Sequence, residues 1–161
     1  MKSRVLVAGI GNMFLGDDGF GVAVAKRLER EFLPEGTRVV DFGIRGVHLA
    51  FDLLTPPDLL VLVDATSRLG APGTLYVIDP DEDSTAAEPT EPETHAMDPR
   101  AVFMAVKAMG GTLPRTRIVG CEPDDLSEGS CLSDAVQQAI EPAVQMIRQL
   151  IASERDRDDA A

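Results

Sequence analysis

The stretch SRVLVAGIGNMFLGDDGFGVAVAKR, Ser3–Arg27, decides the fold. Its opening run, Ser3–Ile10, is short, continuous and apolar, the pattern of a strand buried on both faces of a parallel sheet. After a glycine-rich loop, Phe20, Val24, Leu28 and Phe32 recur every four residues, with Lys26, Arg27, Glu29 and Arg30 mostly elsewhere. That spacing predicts an amphipathic helix. The glycines invite comparison with a dinucleotide-binding turn, but the G-x-G-x-x-G fingerprint fails because Phe14 stands at its third glycine. Asp17 and Asp18 also follow Gly16 where a pyrophosphate would sit, and would repel it. The glycines are better read as making a tight turn that presents two acids.

Beyond this unit the chain keeps alternating. Thr37–Phe42 reads as a second strand, Gly46–Leu54 as a short helix stopped by Pro56 and Pro57, and Asp58–Ala65 as a third, wholly apolar strand. Gly73–Asp79 reads as a fourth strand. The connection before it is too short for a crossover, which predicts an antiparallel edge. Pro80–Met97 has no usable periodicity and reads as a loop. In the helix that follows, Asp98 is the expected N-cap and Pro99 the first helical residue. Thr116–Cys121 reads as a last central strand, and a long helix begins at Ser133 or Asp134 and passes through Pro142. The expected class is α/β: a three-layer αβα sandwich around a twisted, mostly parallel sheet of about five strands. Residues 1–153 are expected to form one domain, with 154–161 as a charged, frayed tail.

Composition narrows the function. A length of 161 residues suits one domain, and 44% hydrophobic residues suffice for a core. The net charge of −12 argues against binding nucleic acid or an anionic membrane. Neither a secretory signal nor a membrane-spanning run is visible, so a cytoplasmic protein, taken as a monomer, is the expectation. Cys121 and Cys131 are too few for a disulfide framework and wrongly spaced for a zinc or redox motif.

Ligands of such sheets bind beyond the carboxyl ends of the strands. What converges there is acidic: Asp17 and Asp18 after the first strand, Asp41 at the end of the second, Asp64 at the end of the third. His95, in the long loop before a helix, is placed to fold over the same edge. Carboxylates plus an imidazole make a divalent-metal site. Each residue also has a plain alternative: an N-cap for either aspartate of the pair, a surface position for His95, a packed or half-exposed one for His48, a buried small hydrophobe for Cys121. Only one aspartate can cap, which makes the pair more informative than either alone. A phospho-receiver domain is a rival, since LLVLVDA resembles its acceptor strand, but the sequence IVGCEPDD lacks the lysine a receiver needs there. The residues alone therefore indicate a metal-binding α/β domain.

Four segments in order carry a resemblance: GIGNMFLGDDGFG, then LVLVDA with APGTLYVI, then THAMDPRAVF, then GCEPDDLSEG leading into LSDAV. Together they resemble the hydrogenase maturation proteases, endopeptidases that trim the C-terminal extension of the nickel–iron hydrogenase large subunit. The resemblance implies that Asp18, Asp64 and His95 bind a divalent metal, nickel carried by the large-subunit precursor. It further implies that the same residues, with Asp17 as a candidate base, serve the hydrolysis. Asp18 stands where other members often have glutamate, one methylene longer. The turn DFGIRG, Asp41–Gly46, matches a family turn implicated in substrate recognition. A nickel-binding chaperone without hydrolysis is the binding-only alternative.

Overall fold

The computed structural model describes residues 2–81 and 98–160. Five strands, β1 (Val5–Ile10), β2 (Thr37–Gly43), β3 (Leu59–Ala65), β4 (Leu75–Ile78) and β5 (Arg115–Cys121), form one sheet in the order β2-β1-β3-β5-β4. Neighbours are parallel except β4, which lies antiparallel to β5 at the edge, as its short connection requires. A receiver domain instead carries an order of 2-1-3-4-5. The helices are α1 (Phe20–Leu28), α2 (Gly46–Asp52), α3 (Pro99–Ala108) and α4 (Asp134–Asp159).

Alternation along the strands divides the core in two. Val5 and Val7 of β1, with Leu59, Val61 and Val63 of β3, pack against α1 and α4. Leu6, Ala8 and Ile10, with Leu60 and Leu62, pack on the other face against α2 and α3. This is the expected three-layer sandwich. Among the described residues no helix is long and apolar enough to cross a membrane.

Two expectations fail, each for a physical reason. The first helix stops at Leu28, and Phe32 lies 97% exposed rather than on the apolar stripe. Four-residue spacing extends the pattern one turn past the point where the chain leaves the core. The charged stretch expected to fray is instead the end of α4, helical to Asp159. Glu154 is buried against Arg115, and the Asp158 carboxylate accepts from the Ser3 backbone N–H at 2.7 Å and from its hydroxyl. Cross-chain polar contacts hold this segment where composition alone suggested solvent. The last helix runs through Pro142 without ending.

Loop geometry at the carboxyl edge is set by Asp17. A short 3-10 turn, Gly16–Gly19, precedes α1, and neither aspartate of the pair caps a helix through its side chain. Asp17 is 0% exposed, and its carboxylate reaches across to the loop between β5 and α4. It accepts from the N–H groups of Asp124 (2.8 Å), Asp125 (2.9 Å) and Ser133 (2.7 Å), and from the Ser133 hydroxyl (2.8 Å). Ser133 is the N-cap residue of α4, yet its side chain is spent on Asp17. In return, Asp17 N–H donates to Asp125 O and Gly16 N–H to Gly129 O, both at 2.8 Å. Gly16 has φ +55°, and a Cβ there would come within 2.4 Å of Asp125 O, so the position admits no side chain.

Burial by itself would raise the Asp17 proton affinity, but the donors from Asp125, Ser133 and Asp124 outweigh it and hold the carboxyl below its usual range. A depressed folded-state pKa contributes stability above the unfolded value of 3.8 and loses it as pH falls through the folded value. Asp17→Asn, which turns an amide toward N–H donors, is therefore expected to cost about 2–4 kcal/mol at pH 7. The gap from wild type should narrow below about pH 4. Urea midpoints measured across pH check this, and an unchanged midpoint at pH 7 would remove the clamp from the account.

Candidate functional site

Asp64 ends β3 on the same face as Leu60 and Leu62, turned toward the α2 and α3 side of the sheet. It is buried. Burial, then the charge of Asp18, pushes its carboxyl well above the usual range; Asp98 adds to this, and the Ala65 N–H only partly opposes it. Asp18 and Asp64 therefore lie close enough to feel each other. Asp98, whose charge acts weakly on the same carboxyl, is the N-cap of α3 and accepts from Arg100 N–H at 3.0 Å.

Asp18 is half-buried. Its Oδ2 accepts from Asn12 N–H at 2.7 Å, and Asn12 Oδ1 accepts from Phe14 N–H at 2.9 Å, which closes the β1 loop over the aspartate. The pair from the sequence thus splits: Asp17 is consumed by the fold, while Asp18 faces Asp64. Among the described residues no group of three or more His, Cys, Asp or Glu side chains is arranged to hold a metal ion. His95 lies outside the described residues. The donor set in view is two carboxylates, oxygen ligands that suit a divalent cation and leave any further ligand to come from elsewhere.

Asp41 lies near the carboxyl end of β2, two residues before its last residue, Gly43. Its turn is closed by Arg45, whose side chain donates back to the carbonyls of Phe42, at 3.1 Å, and Asp41. Between this turn and the β1 loop runs a groove lined by Asn12, Met13, Phe14, Asp41, Phe42 and Ile44. Its apolar rim is exposed: Met13, Phe14 and Ile44 all reach solvent. His48 sits exposed on α2. Cys121 is buried among apolar groups, and burial, with Asp17 and Glu122 nearby, pushes its thiol up to about 12, so it is an inert core residue.

A residue that the sequence marks only as part of a loop organises the third side of the site. Glu122, 3% exposed, accepts from the N–H groups of Arg68 (2.8 Å) and Gly70 (2.6 Å), from the Tyr76 hydroxyl (2.9 Å), and from the Ser67 side chain. Burial opposes its charge, but these donors hold the carboxyl below its usual range. The turn after Asp64 is fixed as a result. Within it Leu69 has φ +60°, the one positive φ outside glycine among the described residues. Such a conformation costs an L-residue about 1–3 kcal/mol and persists only where the surroundings impose it. No local pattern identifies Glu122, because its partners lie some 50 residues earlier in the chain.

The proton affinity of Asp64 generates a stability prediction. A raised folded-state pKa means that stability falls as pH rises above the unfolded value of 3.8, and the penalty is complete above the folded value. Asp64→Asn removes it. In metal-free buffer near neutral pH this variant should melt higher than wild type, by about 2–4 °C for each kcal/mol relieved, and the difference should shrink toward pH 4. A lower melting temperature for Asp64→Asn would contradict this electrostatic picture.

Comparison with known proteins agrees with the fold and with the motifs. The family model described as hydrogenase maturation protease matches residues 22–150. The hydrogenase expression/formation protein HoxM of Azotobacter vinelandii is 32% identical over 164 residues, covering 96% of this chain and 78% of the relative. The hydrogenase 2 maturation protease of Escherichia coli is 29% identical over 145 residues, covering 89% of this chain and 88% of that one. Among solved structures, the hydrogenase maturating endopeptidase HybD from E. coli superposes with a TM-score of 0.79 at 28% identity, over 93% of each chain. The maturation protease HycI from Thermococcus kodakarensis gives 0.74 at 27% identity, over 94% of each. With a five-stranded sheet of matching architecture and the family model spanning most of its length, this chain belongs to the hydrogenase maturation proteases.

Proposed function

We propose that this endopeptidase removes the C-terminal extension of a nickel–iron hydrogenase large-subunit precursor and recognises the nickel already inserted there. The observation that carries the reading is the Asp18–Asp64 pair: two carboxylates within electrostatic reach, one of them held at raised proton affinity by burial and by the other. A cation that binds between them relieves that repulsion, so the empty pair is strained toward accepting positive charge. Two oxygen ligands make an incomplete site. That suits a metal delivered with ligands of its own, as a precursor-borne nickel would be, better than a metal held permanently.

His95 is the third proposed ligand. Its support is its place in the chain: it precedes by three residues Asp98, whose charge is felt at Asp64. Seating the nickel fixes the adjoining C-terminal segment over the carboxyl edge. Hydrolysis then requires polarisation of the scissile carbonyl and a base for water. Asp17, with its oxygens engaged by four donors and its proton affinity lowered, serves to position Asp18. The groove beside the Asp41–Gly46 turn is the proposed path for the polypeptide.

The test is a processing assay. Wild type mixed with nickel-loaded precursor should shorten it at the C-terminus by a mass that matches the extension, and metal-free precursor should stay intact. Asp18→Ala, Asp64→Ala and His95→Ala should each lower the rate by at least about 100-fold. Binding of the precursor without any mass loss would instead support a nickel-binding chaperone. Normal processing by any one of the three variants would remove that residue from the site.

A further inference from the structure

Leu69 violates two preferences at once. It is an L-residue at φ +60°, where glycine is at ease, and an apolar side chain that is 99% exposed. Nothing within the chain is gained by either feature. A glycine at 69 would relax the backbone, and a polar residue would suit the water around it.

The surroundings nevertheless hold Leu69 firmly in this posture. The N–H groups on either side of it, of Arg68 and Gly70, both donate to the buried Glu122 carboxylate, at 2.8 and 2.6 Å. The turn is tied at its ends as well: Thr66 N–H donates to Cys121 O at 2.9 Å, Gly73 N–H to Glu122 O at 2.8 Å, and Glu122 N–H to Thr74 O at 2.8 Å. A Cβ on Gly70 would fall 2.3 Å from the Tyr76 hydroxyl, itself bonded to Glu122, so the turn is closely packed at this glycine. The Arg68 guanidinium lies over the Tyr76 ring, 5.8 Å from its centre.

Position supplies the purpose. The turn follows β3, one residue beyond Asp64, and in the sheet order β2-β1-β3-β5-β4 the β1 loop with Asp18 and the β2 turn lie on one side of it, while β5 and β4, which anchor it, lie on the other. The groove with exposed Phe14 and Ile44 occupies the first flank. Leu69 stands on the second, projecting rather than lining a cavity. A projecting apolar side chain cannot grip a small molecule, but it fits a pocket on the surface of a folded protein. A precursor seated over Asp18 and Asp64 would reach it.

We infer that Leu69 is a docking residue that inserts into an apolar depression on the body of the large-subunit precursor, and that Glu122 is the positioning residue that holds it out. This rests on the protease reading above. The contribution is to recognition, so it appears in KM and not in kcat.

The test is steady-state processing of nickel-loaded precursor by wild type, Leu69→Gly, Leu69→Met, Glu122→Gln and the double variant, with melting temperatures alongside. Leu69→Gly should raise KM about tenfold with kcat within about twofold, while its melting temperature stays level or rises because the backbone is relieved. Leu69→Met should keep KM within about threefold of wild type. Glu122→Gln should raise KM in the wild-type background and add little in the Leu69→Gly background, since both changes act through one contact. A KM for Leu69→Gly equal to wild type overturns the inference, and so does a loss confined to kcat, which would place the turn in the chemistry of Asp64. Wild type that leaves the precursor intact overturns the protease reading itself, and that outcome is distinct from normal wild-type processing with an indifferent Leu69.

Discussion

A carboxylate with no exposure to solvent must replace its hydration entirely from the protein, and Asp17 does so with four hydrogen bonds. All four come from the loop between β5 and α4, more than 100 residues away in sequence. The bond set therefore fixes one loop against another at the edge where the sheet presents its ligands. Asp18 is the next residue along. Once Asp17 points inward, the backbone gives Asp18 a different direction, and the Asn12 N–H fixes which way its carboxylate lies. The loop that bears Asp18 thus takes its position from a buried charge beside it.

Asp17 and Asp64 show how one residue type serves opposite ends. Both are buried, and burial raises the proton affinity of each. Asp17 meets backbone donors and stays charged. Asp64 meets Asp18 and Asp98, and holds its proton more tightly than an ordinary carboxylate. A nearby cation would favour the charged form of Asp64, whereas Asp17 is already favoured as a charge by its donors, so their surroundings and not their order in the sequence set the two acids apart. At the cleft, Asp64 carries an unfavourable charge environment, while the loops beside it are held by satisfied hydrogen bonds.

What the sequence makes legible is what depends on short-range pattern. Apolar runs mark β1, β3 and β5, the missing crossover marks the antiparallel β4, and Asp98-Pro99 marks the start of α3. Strand ends then point to Asp18, Asp41 and Asp64 as residues of one edge, where the charge of Asp18 acts on Asp64. Less legible is whatever distant partners decide. Periodicity runs past the end of α1 to Phe32, because spacing carries no information on where the core stops. Charge density at 154–159 suggests fraying, yet Ser3 and Arg115 hold that end of α4 in place. The division of labour between Asp17 and Asp18 is invisible for the same reason: the donors that claim Asp17 are on the far side of the chain.

The segment Glu122–Asp125 joins these observations. Its backbone N–H groups hold Asp17, and so the loop that bears Asp18. Its one buried side chain, Glu122, holds the turn that follows Asp64. The two acids of the site sit on neighbouring strands, but the positions of the loops around them are referred to this third segment, at the end of β5. The two sides of the cleft meet at this segment through different groups: the N–H groups of Asp124 and Asp125 on one side, the Glu122 carboxylate on the other. The loop that bears Asp18 and the turn that bears Leu69 are thus both tied to the end of β5, by two buried carboxylates and the backbone that runs between their partners.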